Sequence, residues 1–99
     1  MTQHRYGNLA FAWDERKAAT NLQKHGISFE EAATVFADPL ARFYDDPDHS
    51  TNELRFLLVG HSLLGRLLLV VHAERGDIIR IISARKPTTR ERRNFKTNA

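Results

Sequence analysis

Arg80 sits inside the run Ile78-Ile79-Arg80-Ile81-Ile82, and a charge in so apolar a stretch needs a solvated face or a partner. It is therefore a functional candidate. From Arg80 to Ala99 there are seven cations and one acid, Glu91, a local charge of seven minus one, or plus six. From Ser28 to Leu54 there are seven acids and one base, Arg42, a local charge of minus six. The net charge of +3 conceals these two poles. They neutralise one another in the fold, or the basic end meets an anionic partner.

Other groups have suitable chemistry. Lys24 and His25 close a predicted helix, where cations complement the helix dipole by roughly 0.3 to 1 kcal/mol each, which alone can account for both. The functional alternative holds His25 at the edge of a site as a proton-transfer group or phosphate donor. Glu53 and Arg55 flank Leu54 at the start of a strand, so alternation sends both to one side. They form a surface ion pair worth little, or Glu53 acts as a base or holds an arginine in place. Arg66 opens the next strand. Asp45, Asp46, Asp48 and His49 lack any calcium-loop or zinc spacing, so no metal and no cofactor is assigned. The absence of cysteine excludes disulfides, thiol nucleophiles and thiolate zinc sites. No G-x-S-x-G, Walker or Rossmann glycine pattern is present, which argues against the hydrolases, triphosphatases and dehydrogenases built on them.

These residues need a frame, and 99 residues suit one domain, 1–99, with 1–8 as a polar N-terminal tail. Leu9, Phe11 and Trp13 alternate with alanines as in a half-buried strand. Asp14 caps a helix that stops at Gly26, and Ser28 with Glu31 forms a capping box for a second helix, whose core face is Phe29, Ala32, Ala33 and Phe36. Pro39 ends it. Ala41 to Tyr44 makes a short strand, and an acidic loop follows over 45–52. Leu54 to His61 and Arg66 to Glu74 form a hairpin around Ser62 to Gly65, and Leu67 to His72 is apolar enough to be a central strand. Ile78 to Ile82 adds a strand, and the T-x-x-E spacing of Thr88 and Glu91 opens a short basic helix. The expected class is α+β, with helices on one face of a largely antiparallel sheet. No run can cross a bilayer and MTQHRYGN lacks an apolar signal core, so the chain reads as cytoplasmic.

The blocks FAWDERKAATNLQKHGISFEEAATVFADP, NELRFLLVG, GRLLLVVHAERG and IIRIISARKPTTRERRNF, in that order, resemble the BrnT family of type II toxins over Phe11 to Phe95. The resemblance implies a ribonuclease with a RelE-like fold, and the elements read above fill it as an N-terminal strand and two helices, an antiparallel meander of three to four strands, and a basic C-terminal helix. It implies a BrnA-like antitoxin as partner, through which alone the chain would meet DNA. The family-like polar positions are Lys24, His25, Glu53, Arg55, Arg66, Arg80, Ser83, Arg85, Glu91 and Arg92. Family members often carry Tyr where this chain has Phe95, so a catalytic hydroxyl there is absent.

The resulting expectation is a metal-independent endoribonuclease that uses the RNA's own 2′-hydroxyl. Arg80 and Arg85 would stabilise the phosphorane, because a guanidinium is permanently charged and its fork matches two phosphate oxygens. Glu53 and His25 would move protons, while Lys24, Arg55, Arg66 and Arg92 would bind and orient the strand. The competing expectation is a noncatalytic module that binds RNA, with Phe95 as a stacking surface, or binds only an acidic partner.

Overall fold

The computed structural model describes residues 1–46 and 53–97. Strands β1 (Thr2–Tyr6) and β2 (Leu9–Trp13) precede helices α1 (Glu15–His25) and α2 (Phe29–Thr34) and a 3-10 turn, Val35–Ala37. Strands β3 (Arg42–Asp45), β4 (Phe56–His61), β5 (Leu67–Arg75) and β6 (Ile78–Arg85) then lead into helix α3 (Thr89–Thr97). All six strands form one sheet in the order β1-β2-β6-β5-β4-β3. The expected meander is β3 to β6, antiparallel throughout, with β5 at its centre. Beyond it, β2 runs parallel to β6, so the sheet is mixed.

The polar tail is a correction, because residues 2–6 are strand β1 paired to β2. Tyr6 faces Leu9 across the two-residue loop Gly7-Asn8, and Gly7 takes a φ of 61°, the left-handed conformation such a tight hairpin needs. Thr2–Tyr6 shows no apolar alternation because it is an edge strand with little to bury.

Alternation along the strands sorts the core into two layers. Leu58, Leu68, Val70, Ile81 and Ala84 meet α2 residues Phe29, Ala32 and Ala33, with Trp13 and Phe11, on one face. Val59, Leu67 and Leu69 point the other way and pack on Phe95 of α3. The expectation of helices on a single face thus holds for α1 and α2 and fails for α3. Phe95 is 9% exposed, so its work is packing and it offers no stacking surface. We call the α3 side the open face, since α3 covers it only in part.

Local chemistry sets the helix ends as the spacing predicts. The Asp14 carboxylate accepts from the Arg16 and Lys17 amides, and Gly26 ends α1 with φ 70°. The Ser28 hydroxyl accepts from the Glu31 amide, but Glu31 does not complete the box, because its carboxylate is taken by Arg66 and the Ser62 hydroxyl. Asn21 does something the sequence does not announce. Its amide donates to the Ile27 and Ala84 carbonyls at 2.9 and 2.8 Å, and its oxygen accepts from the Ala84 amide at 3.1 Å. The pairing of β2 with β6 ends at Ala12 and Arg80, so this buried side chain serves the edge of β6 where no strand does.

Candidate active site on the open sheet face

Side chains directly opposite one another on neighbouring strands share a face. Leu69, Val71 and Ala73 of β5 alternate onto the open face, and their partners on β6 are Arg85, Ser83 and Arg80. Arg80 and Arg85 are an odd number of residues apart, which in a regular strand would send them to opposite faces. The register shifts between Val71 and His72, so that Ile82 has no residue opposite it. This β-bulge brings both arginines to one side.

Arg80 is flanked in the sheet by Ala12 on β2 and Ala73 on β5, whose small side chains leave room for a long one. Its Nη2 donates to Glu53 Oε1 at 2.6 Å, and the Arg80 side chain is 16% exposed. Glu53 Oε2 accepts from Arg75 Nη2 at 3.0 Å and Nε at 3.3 Å. The Arg75 hydrogen bonds, aided by the charges of Arg80, Arg75 and Arg55 and opposed by partial burial, hold the Glu53 carboxyl below its usual range. Glu53 is thus an anion at neutral pH, and a carboxylate so stabilised is a weak base. Arg75 is a partner that strand-and-turn reading passed over, although the alternation Leu69, Val71, Ala73, Arg75 places it on this face.

At the other end of β6, Arg85 grips Glu91 at two points, Nη1 to Oε1 at 2.8 Å and Nη2 to Oε2 at 3.0 Å. Glu91 Oε1 also accepts from the Thr88 amide, while the Glu91 amide donates to the Thr88 hydroxyl, completing the capping box of α3. The Arg85 hydrogen bonds chiefly push the Glu91 carboxyl down to about 2, against an opposing desolvation. Each of the two arginines is therefore held by its own carboxylate.

The remaining candidates lie elsewhere. Lys24 and His25 border a groove with Lys17, Thr20, Ile82 and Ser83, at the edge of β6 beside α1. Ser83 thus lines the groove of the histidine and lies between Arg80 and Arg85 along β6. The Arg55 Nε is buried without a hydrogen bond among the described residues. Arg66 binds the Glu31 carboxylate through two nitrogens and donates to the Gly26 carbonyl at 3.1 Å, tying β5 to the α1–α2 turn on the far side of the sheet. Arg92 is exposed on the outer side of α3, with Arg93 and Lys96. Of the two poles, Glu53–Arg80 is one point of contact, but Arg90, Arg92, Arg93 and Lys96 make no ion pair among the described residues. Among those residues no three His, Asp or Glu side chains gather as a metal-ligand set; Asp48 and His49 of the acidic loop fall outside them. No described helix is long and apolar enough to cross a membrane.

The architecture is similar to that of the Brucella abortus ribonuclease toxin BrnT, known from a 1.1 Å crystal structure, with a TM-score of 0.61 and 22% identity over 80% of this chain and 96% of that one. No curated protein matches the chain. The family model for the ribonuclease toxin BrnT of type II toxin-antitoxin systems matches residues 13–91, a span that takes in Glu53, Arg75, Arg80, Arg85 and Glu91. The chain therefore belongs to the BrnT family of ribonuclease toxins of type II toxin-antitoxin systems.

Proposed function

We propose that this chain is an endoribonuclease toxin that cleaves RNA by attack of the substrate's 2′-hydroxyl on the adjacent phosphate, without a metal ion. The observation that carries the reading is the pair of guanidiniums on one open sheet face, each fixed by a carboxylate. Fixed donors cost no reorganisation when charge develops, which is what a dianionic phosphorane asks of its surroundings. The Arg80 side chain spends Nη2 on Glu53 and makes no other hydrogen bond among the described residues, so its remaining donors are available to phosphate oxygens.

In this reaction the 2′-oxygen bonds to phosphorus and gives its proton to a base. The bond to the 5′-oxygen breaks, and that oxygen takes a proton from an acid. The products are a 2′,3′-cyclic phosphate and a 5′-hydroxyl. His25 and Glu53 are the proton-transfer groups of the proposal; Glu53, kept as an anion by its arginines, would act as the base, a weak one, while also holding Arg80. Lys24 and Arg55 orient the strand, and Arg92 extends the basic surface along α3. Arg66, committed to Glu31, shapes the fold behind the site. We read the β3–β6 meander backed by α1 and α2 as a RelE-like arrangement, and a BrnA-like antitoxin is the proposed partner that covers the basic end.

The test is an RNA with one 2′-deoxy sugar at a mapped cleavage site. It should bind and stay intact, while all-ribose RNA is cut to cyclic-phosphate and 5′-hydroxyl ends in the presence of EDTA. Cutting of the deoxy substrate, or arrest by EDTA, would sink the mechanism. The unpaired cations of α3 favour, as a second reading, strand binding without cleavage; intact all-ribose RNA in the same assay would select it.

A further inference from the structure

Between α3 and the open face lies a pocket of about 180 Å³ that no role above uses. Leu57, Val59 and Leu69 form its floor, with Tyr44 to one side and Glu91 and Asn94 on the side of α3. Register explains the grouping, since Tyr44 pairs with Leu57 and Val59 with Leu69 across the strands. Glu91 and Asn94 are neighbours on the helix surface, and Phe95 anchors that side of α3 to the sheet. The two polar groups differ in engagement. Glu91 is occupied by Arg85 and Thr88. Asn94 is exposed, and its side-chain amide makes no hydrogen bond among the described residues, so it presents both a donor and an acceptor to the pocket.

We propose that this pocket holds one nucleobase of the RNA strand, with the Tyr44 ring against the base and Asn94 reading its edge. The inference deepens the ribonuclease reading and rests on it for the choice of RNA. Three observations favour this occupant. The pocket is smaller than the roughly 300 Å³ or more of sites for drug-sized ligands, which fits a single flat ring system. Its floor is apolar and it has an aromatic side, as base stacking requires. Arg85 lies beside Leu69 of the floor and on the same face, so a cation stands one strand away to receive the attached phosphate. A side-chain amide pairs with an adjacent donor and acceptor, and in a single strand adenine alone of the four bases offers such a pair on its Hoogsteen edge, N6/N7, as well as on its Watson–Crick edge, N6/N1, which makes adenine the favoured base.

The probes are short RNAs with 2′-O-methyl sugars throughout, which lack the attacking hydroxyl, differing only in A, G, C or U at one position scanned along the strand. They are titrated against the full chain and against Asn94→Ala. The full chain should prefer adenine at one position by roughly 5- to 100-fold, and Asn94→Ala should bring all four within about twofold. A preference for another base that the variant erases also upholds the pocket. Equal affinities at every position, or a preference the variant leaves intact, overturn it. Asn94 is exposed, and circular dichroism would show the variant folded. Since these RNAs cannot be cut, the two readings fail separately: selective binding with intact all-ribose RNA defeats the nuclease and keeps the pocket, and cleavage without selectivity does the reverse.

Discussion

Arg85 and Glu91 meet in a two-point ion pair that fastens the last residue of β6 to the first turn of α3. The same carboxylate caps the helix, so protonating it would loosen the helix start and free the arginine together. The folded pKa, about 2, lies below the ordinary 4.5. A carboxyl lowered in this way stabilises the fold fully above its unfolded pKa and loses that contribution as pH falls through the folded one. Glu31, Asp38 and Glu53 are shifted in the same direction. Burial also lowers the pKa of His72 below its ordinary 6.5, so the unfolded chain takes up a proton there before the folded one does. The urea midpoint should therefore begin to decline as pH falls through about 6.5 and fall more steeply from about 5 towards 2. Glu91→Gln should lower the midpoint at neutral pH and flatten part of that acid limb. Parallel acid limbs in the two proteins would remove Glu91 from the account.

Arg80→Ala should slow RNA cleavage on the order of 100- to 1,000-fold, the usual cost of removing one donor aimed at developing charge. The fold should survive, because Arg75 still pairs with Glu53. Arg66→Ala is the contrast: it strands the buried Glu31 carboxylate behind the sheet, so it should lower the urea midpoint while cleavage by the remaining folded protein stays within about twofold. Loss of activity in Arg66→Ala at full stability would put Arg66 back among the groups that touch RNA.

Affinity for an uncleavable RNA should fall steeply with salt. Each neutralised phosphate contributes about 0.7 to the logarithmic slope for single strands, so about four contacts give a loss of roughly 50-fold between 50 and 200 mM. Arg92→Ala and Arg93→Ala on the outer side of α3 should each take about 0.7 from the slope. Slopes unchanged in both variants would show that the strand does not run along α3.

Asn21→Ala should destabilise the protein by about 2 to 3 kcal/mol, since it leaves the Ala84 amide, the Ala84 carbonyl and the Ile27 carbonyl without this partner in a buried setting. Urea unfolding would measure it, and a change below about 0.5 kcal/mol would mean that water replaces the amide.

What the sequence shows plainly is what neighbours in the chain decide. Asp14, Gly26, Ser28 and the Thr88–Glu91 box act within a few residues, and each ends a helix where its spacing says. The apolar run of β5 is central because it is buried on both faces. Strand β1 escaped because an exposed edge strand carries no burial pattern, though Gly7-Asn8 is a hairpin loop in type and length. The side taken by α3 depends on Phe95 finding Val59, Leu67 and Leu69, contacts that no local spacing encodes. At the site, Arg80 stands out as a charge in an apolar strand, but its partner Glu53 comes from the segment just before β4, two strands earlier in the chain. The bulge at Ile82 has no glycine or proline to announce it.

The Asn21 side chain also bears on how copies of this protein behave towards one another. Past Arg80 the outer rim of β6 has no neighbouring strand from β2, and an open rim of apolar sequence is a template on which another chain can add. By filling both hydrogen-bonding groups of Ala84, one amide closes that template. Ageing at high concentration should therefore turn an Asn21→Ala preparation turbid sooner than a variant of equal stability made in the α2 core, such as Ala33→Gly.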